Sequence, residues 1–180
     1  AAISGTNKVC AGLTTTLTDA TSSGTWSSST NSIATAGSAT GVITGVSAGN
    51  TTISYTLTTT GCYSTITVTV NALPASIGGT ASVCAGGGTT ILNDATAGGT
   101  WSSGSTSIAT ADIPTGTITG VTAGTATITY KLSTGCINTT TVTVNPLPAA
   151  ITGTTSVCVN STTALSDGTG SGTWASSSNA

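Results

Sequence analysis

Cys10, Cys84 and Cys158 stand 74 residues apart, and Cys62 and Cys136 keep the same step. Pro74 and Pro148 share it, while Trp26, Trp101 and Trp174, and Tyr55 and Tyr130, follow it to within one residue. An internal repeat of this kind limits the fold more than any single residue does. It divides the 180-residue chain into a first unit at 1–74, a second at 75–148 and the opening of a third at 149–180. The two full units differ by a small insertion at Gly86–Gly88 and a small deletion before Gly135. The step is too long for a solenoid turn or a propeller blade and suits a small independent domain. Such a domain buries a modest share of its surface, and secreted domains of that size often rely on disulfides. With no His and no C-x-x-C in the chain, the recurring cysteines Cys10, Cys62, Cys84, Cys136 and Cys158 read as disulfide partners rather than metal ligands.

Within a unit the apolar period is two. Thr65-Ile66-Thr67-Val68-Thr69-Val70 alternates without a break, and Ile53, Tyr55 and Leu57 alternate with Thr52, Ser54 and Thr56. The second unit repeats this with Ile128, Tyr130, Leu132, Val142 and Val144. Alternation over such lengths marks half-buried strands, and β-branched Thr suits their exposed face. Strands are expected near 1–5, 7–11, 13–19, 24–28, 32–36, 41–46, 50–58 and 62–70, parted by Gly, Asn and Ser. No stretch has the period of an amphipathic helix. The expected class is all-β: short strands at this spacing make a sandwich or a barrel, and Trp26 on a middle strand fits the buried Trp of tandem immunoglobulin-like sandwiches. Trp26, Trp101 and Trp174, with Tyr55 and Tyr130, are the expected core aromatics. Sugar stacking is the alternative role for the tryptophans, but one Trp per unit in an aromatic-poor chain favours the core.

Composition excludes most chemistry. The chain holds 71 Ser and Thr, 2 Lys, 4 Asp, and no Arg, Glu, His, Phe or Met. General acid–base catalysis has almost no candidates, and an abundant hydroxyl without a base is no nucleophile. No catalytic residue, cofactor site or metal site is therefore expected, and the chain is read as no enzyme. Two lysines make no phosphate-binding footprint, so nucleic acid is excluded as a partner. No apolar run approaches the ~20 residues of a membrane span, so insertion into a membrane is not expected.

The ordered motifs VCAG, TTLTD, GTWSSS, SIATA, GVITGVSAGNTTISY and STITVTVN in the first unit return as VCAG, TWSSG, SIATA, GTITGVTAGTATITY and TTTVTVN in the second. This series resembles the bacterial Ig-like domain of group 2, over both full units and the start of the third. The cysteine pair and the N-x-L-P junction look like those of long surface proteins of Bacteroidota-type bacteria. The resemblance implies a sandwich of about seven strands, used in extracellular adhesins, stalks and fibres, with no catalytic residues. Fold likeness alone does not assign a ligand.

Three pairings of the cysteines are open. Pairing within units gives Cys10–Cys62 and Cys84–Cys136 and needs no partner domain. In an Ig-like sandwich, however, Cys10 lies near the bottom and Cys62 near the top, several residues apart at ~3.3 Å each, whereas a disulfide needs Cα atoms within ~7 Å. A tandem rod would bring Cys10 to Cys136, an inter-unit staple, and Cys62–Cys84 is the third possibility. The junctions Val70–Pro74 and Val144–Pro148 are short and proline-restricted, which suggests a stiff rod. No initiator Met or charged-then-apolar leader opens the chain, and the expectation is a window cut from a longer array. A third of a sandwich cannot bury its own core, so an ordered 149–180 would need strands from a neighbouring copy or a continuing polymer.

Weaker signals complete the reading. Asp19, Asp94 and Asp167 share one repeat position and read as loop-closing Asx turns rather than calcium ligands, being isolated from one another. Asp112 aligns with Gly37 and so has no counterpart. Lys8 and Lys131 are unmatched between units, which argues against self-forming Lys–Asn cross-links. Asn50, Asn138 and Asn160 stand in N-x-S/T triplets. The function expected is a structural segment of an extracellular or cell-surface filament or rod, its partner being neighbouring copies or repeats. The alternative is the stalk or the glycan- or surface-binding module of a bacterial adhesin.

Overall fold

The alternating strands build two sandwiches of the same design. The computed structural model describes residues 1–177. The first sandwich has β1 (Ser4–Gly5), β2 (Lys8–Cys10), β3 (Thr14–Thr18), β4 (Gly24–Ser28), β5 (Ala34–Ala36), β6 (Val42–Gly45), β7 (Gly49–Leu57) and β8 (Tyr63–Asn71). The second has β9 (Gly78–Gly79), β10 (Ser82–Cys84), β11 (Thr89–Asn93), β12 (Gly99–Ser103), β13 (Ala109–Ala111), β14 (Thr117–Gly120), β15 (Gly124–Leu132) and β16 (Ile137–Asn145). The sheets run β1-β3-β6-β5 and β2-β8-β7-β4, and correspondingly β9-β11-β14-β13 and β10-β16-β15-β12. The opening segment of each unit is thus split. Its first part pairs antiparallel with one sheet, and its second crosses to pair parallel with the last strand of the other. That split accounts for eight short strands where the resemblance implies about seven.

The period of two decides what is buried. Along β7 the buried residues are Thr51, Ile53 and Tyr55, with more exposed ones between them. They join Val9, Leu17, Trp26, Ala34, Ile43, Val68 and Val70 in one core. The second core repeats it with Val83, Leu92, Trp101, Ala109, Ile118, Ala126, Ile128, Tyr130, Val142 and Val144. Among the described residues each core draws on one sandwich only. Thr51 is the buried polar residue among those described. Its Oγ1 lies 3.1 Å from the hydroxyls of both Ser28 and Ser29, so its polar atom is satisfied. Ala126 takes its place in the second core.

Trp26 and Tyr55 face each other across β4 and β7, with ring centroids 4.7 Å apart and planes tilted by 45°. Trp101 and Tyr130 do the same at 4.7 Å and 47°. Aromatic pairs in such tilted geometry add ~0.5–1.5 kcal/mol beyond their area. Room for the indole depends on glycine. Gly41 and Gly116 have φ of +68° and +71°, and a Cβ there would meet a backbone carbonyl, of Leu17 or Leu92, at 2.2 or 2.5 Å.

The third unit departs from what the sequence leads one to expect. Among its described residues only β17 (Thr152–Gly153) and β18 (Leu165–Ser166) pair. Trp174, expected in a core, is 58% exposed. Its counterparts are covered by the tyrosine of a neighbouring strand, and no such tyrosine lies in 149–180. Ile151 and Leu165 are likewise exposed, and with Trp174 they line an open groove of about 740 Å³.

Candidate functional site

The junction between the sandwiches concentrates the features that repeat. At the trailing end of the first sandwich, β2 runs parallel to β8 with Cys10 opposite Asn71, and the Ala11 N–H donates to the Asn71 carbonyl at 2.9 Å. At the leading end of the second, the β15–β16 hairpin closes with the Leu132 N–H donating to the Cys136 carbonyl at 2.9 Å. The hairpin sits against the first residue of its own unit, since Asn138 Nδ2 donates to the Ala75 carbonyl at 2.7 Å. Only three residues, Ala72–Pro74, separate the two ends, so the short junction sets Cys10 beside Cys136.

Those two cysteines form a disulfide with a Cα–Cα distance of 5.7 Å across 126 residues of sequence. The within-unit pairs Cys10–Cys62 and Cys84–Cys136 are not formed, nor is Cys62–Cys84: Cys62, Cys84 and Cys158 are free and exposed. Strand geometry supplies the reason. Cys10 is level with Asn71 at the end of β8, and Cys62 precedes its first residue, so roughly 30 Å of strand lies between them.

A latch fastens the leading end of every unit. The N–H of Thr21 donates to Asp19 Oδ1 at 2.8 Å, that of Thr96 to Asp94 at 2.7 Å, and that of Thr169 to Asp167 at 2.5 Å. These are the Asx turns that the shared Asp position suggests. Each threonine hydroxyl then accepts from the nitrogen of its unit's first residue: Ala1 to Thr21, Ala75 to Thr96 and Ala149 to Thr169, at 3.0, 2.9 and 2.8 Å. The Tyr55 hydroxyl donates to the Thr21 carbonyl at 2.8 Å and accepts from the Gly24 N–H at 2.9 Å. Tyr130 repeats both bonds with Thr96 and Gly99, at 2.7 and 2.9 Å. The ring crosses so close to Gly99 that a Cβ there would meet it at 2.4 Å.

The latch is structural in its chemistry. Asp19 and Asp94 each bury an Oδ2 atom that has no hydrogen-bond partner, and this happens at the same position in both sandwiches. Among the described residues no group of three His, Cys, Asp or Glu is placed to hold a metal ion. The backbone N–H of Thr21 holds the Asp19 carboxyl below its ordinary value, against the opposing effect of burial. A carboxyl with a lowered folded-state pKa stabilises the fold above the ordinary carboxylate range, and that contribution is lost as pH falls through the lowered value. With no Glu or His in the chain, the unfolding midpoint is expected to stay flat between about pH 5 and 8 and to drop only below about pH 4. Thermal melts across that range check this.

Phe in place of Tyr130 keeps the ring and removes the hydroxyl, leaving the Gly99 N–H and the Thr96 carbonyl short of a partner. The expected cost is about 1–3 kcal/mol to the second sandwich, measurable by urea unfolding of Tyr130→Phe.

Sequence reasoning singled out the aspartates and tyrosines and missed the threonine that joins them. The signal was there as Asp19-Ala-Thr21, Asp94-Ala-Thr96 and Asp167-Gly-Thr169, an Asp-x-Thr triplet at one position in all three units. Of the remaining candidates, Lys8 and Lys131 lie on β2 and β15, and Asp112 accepts from the Thr115 N–H at 3.3 Å. No helix among the described residues is long and apolar enough to cross a membrane.

No protein-family model matches the chain, and no curated protein matches it. Among solved structures, it is similar to the C-terminal 282-residue fragment of intimin, crystallised with the intimin-binding domain of the translocated intimin receptor. The TM-score is 0.51 at 17% identity, over 84% of this chain and 65% of that one. This chain therefore spans less than two thirds of the intimin fragment. Domains 4 and 5 of the S-layer protein SbsC align over 74% of this chain and 82% of that one, with 23% identity and a TM-score of 0.32. Murine CEACAM1b aligns over 81% of this chain at 12% identity and a TM-score of 0.33. The likeness to the intimin fragment shows the fold, an all-β chain of tandem immunoglobulin-like sandwiches.

Proposed function

We propose that this chain is a structural segment of an extracellular rod or filament of bacterial Ig-like units, in which a disulfide braces each unit to the next. The Cys10–Cys136 bond carries the reading, because it crosses a junction instead of closing a single core. A disulfide that a small sandwich uses for its own stability would lie inside it. One that spans three linker residues resists bending between neighbours. Such a bond persists in oxidising compartments, which supports a location at the cell surface or beyond it. The nearly uncharged, hydroxyl-rich surface fits the same role, since little charge keeps neighbouring copies apart. Two lysines and no arginine leave trypsin-like proteases few places to cut. Without His or Glu, the chain offers few candidates for general acid–base catalysis.

Electron microscopy of the native, oxidised material tests this. Long rods or filaments with an axial repeat near one domain length are expected, and they should lose stiffness on reduction. Compact particles with no axial repeat would refute the reading. A second reading, the stalk or binding module of an adhesin, is supported by the fold shared with the intimin fragment, a protein crystallised with its receptor domain. It would show as short rods of fixed length that bind cells or glycans through one end.

A further inference from the structure

The one bond that joins the sandwiches is also a template for the cysteines it leaves free. We infer that Cys62 is the receiving half of a further staple, whose other half is a cysteine at the Cys10 position on the trailing end of a second copy of this chain. The inference rests on the rod reading above and names the partner and polarity of its joints.

The leading end of the first sandwich shares its hairpin-closing bonds with the leading end of the second. The Leu57 N–H donates to the Cys62 carbonyl at 2.9 Å, as that of Leu132 does to Cys136. The strand register behind them matches, with Thr56 opposite Tyr63 and Lys131 opposite Ile137. Ser64 Oγ donates to the Ala1 carbonyl at 2.8 Å, where Asn138 serves Ala75. The hairpin of Cys62 is one residue longer, yet it closes at the same register, so Cys62 stands at the equivalent strand position. One difference remains. Cys136 is 1% exposed beneath its disulfide, whereas Cys62 is exposed beside a 90 Å³ cavity lined by Ala1, Asp19, Tyr55, Tyr63 and Ser64.

The trailing ends correspond in the same way. Cys84 stands opposite Asn145 as Cys10 stands opposite Asn71, and the Ala85 N–H donates to Asn145 at 2.8 Å. Cys10 is half-buried in its bond, while Cys84 is exposed. Cys158 holds this position in the third unit. The bond thus joins two different surfaces, trailing to leading. Contacts of that type do not close on themselves and propagate in one direction. Two leading ends have no reason to meet. In the joining step the two thiols give up two protons and two electrons to form one S–S bond. A disulfide oxidant, such as oxidised glutathione, takes these up and becomes two thiols.

The test oxidises the purified 180-residue chain with oxidised glutathione, its Cys10–Cys136 bond intact, and maps the cross-linked peptides. Reductant-sensitive oligomers are expected, joined from Cys62 to Cys84 or Cys158. Cys62–Cys62 links should be at least about tenfold rarer than Cys62–Cys84 and Cys62–Cys158 links, because only the unlike ends present the paired surfaces of the Cys10–Cys136 joint. Cys62→Ser should abolish Cys62-dependent oligomers and leave the Cys10–Cys136 bond intact, which also verifies its fold. Symmetric links as frequent as the directional ones would overturn the inference, as would a Cys62 that stays a thiol or a glutathione adduct while protein is abundant. Failure here with stiff rods still seen in native material would remove the inter-copy staple and leave the rod reading standing. Absence of rods with directional cross-links would do the reverse.

Discussion

Trp101→Ala is expected to destabilise the second sandwich by about 3–5 kcal/mol and to leave the first nearly unchanged. The indole is 5% exposed, stacks on Tyr130 and lies against Gly116, a glycine that cannot gain a side chain to fill the space. A domain of this size has only about 5–15 kcal/mol in total, so the loss is enough to unfold it under mild denaturant. Because each core is built from its own strands, the unfolding curve should split into two steps, the earlier one belonging to the variant sandwich. Circular dichroism in urea reads the steps, and in a Trp174→Phe background Trp26 is the remaining tryptophan, so its fluorescence reports on the first sandwich alone. Simultaneous loss of both would contradict separate cores.

The second large effect comes from the staple. Cys10→Ser is expected to lower the stability of whichever sandwich unfolds first by about 2–4 kcal/mol. While one sandwich is folded, the disulfide anchors the unfolded chain of the other at both ends and closes a loop of some sixty residues, which restricts its freedom. The same loss should follow Cys136→Ser or addition of reductant. By contrast, Cys62→Ser and Cys84→Ser should be neutral, since both side chains are exposed thiols. Urea midpoints of the four variants, with and without reductant, check the pattern. An unchanged midpoint in Cys10→Ser would mean that the bond carries no mechanical or thermodynamic coupling between the sandwiches.

Much of this architecture was legible in the sequence because a repeat displays its own constraints. The alternation of Ile53, Tyr55 and Leu57 with Thr and Ser placed β7 and its buried face, and the recurring Trp marked β4 and β12. The cysteine pairing was left open because it turns on which end of a strand each residue occupies. That is set by the parallel register of Cys10 with Asn71, a long-range pairing that local pattern does not encode. Trp174 was misplaced for a related reason: a residue type says that a side chain belongs in a core, whereas burial needs the strands that cover it. The threonine of the latch was hidden by abundance, since a chain with 71 Ser and Thr gives no hint of which hydroxyls are held in fixed bonds.

The disulfide that crosses the junction has a connectivity that can be read directly. The four aspartates at 19, 94, 112 and 167 offer a convenient cut. The Cys158→Ser chain, made in an oxidising compartment, is unfolded with its free thiols blocked and without reductant, then cleaved on the N-terminal side of Asp. Mass spectrometry should find fragment 1–18, which holds Cys10, joined to fragment 112–166, in which Cys136 is the remaining cysteine. Fragment 1–18 joined instead to 19–93, which holds Cys62 and Cys84, would contradict the staple and with it the braced rod.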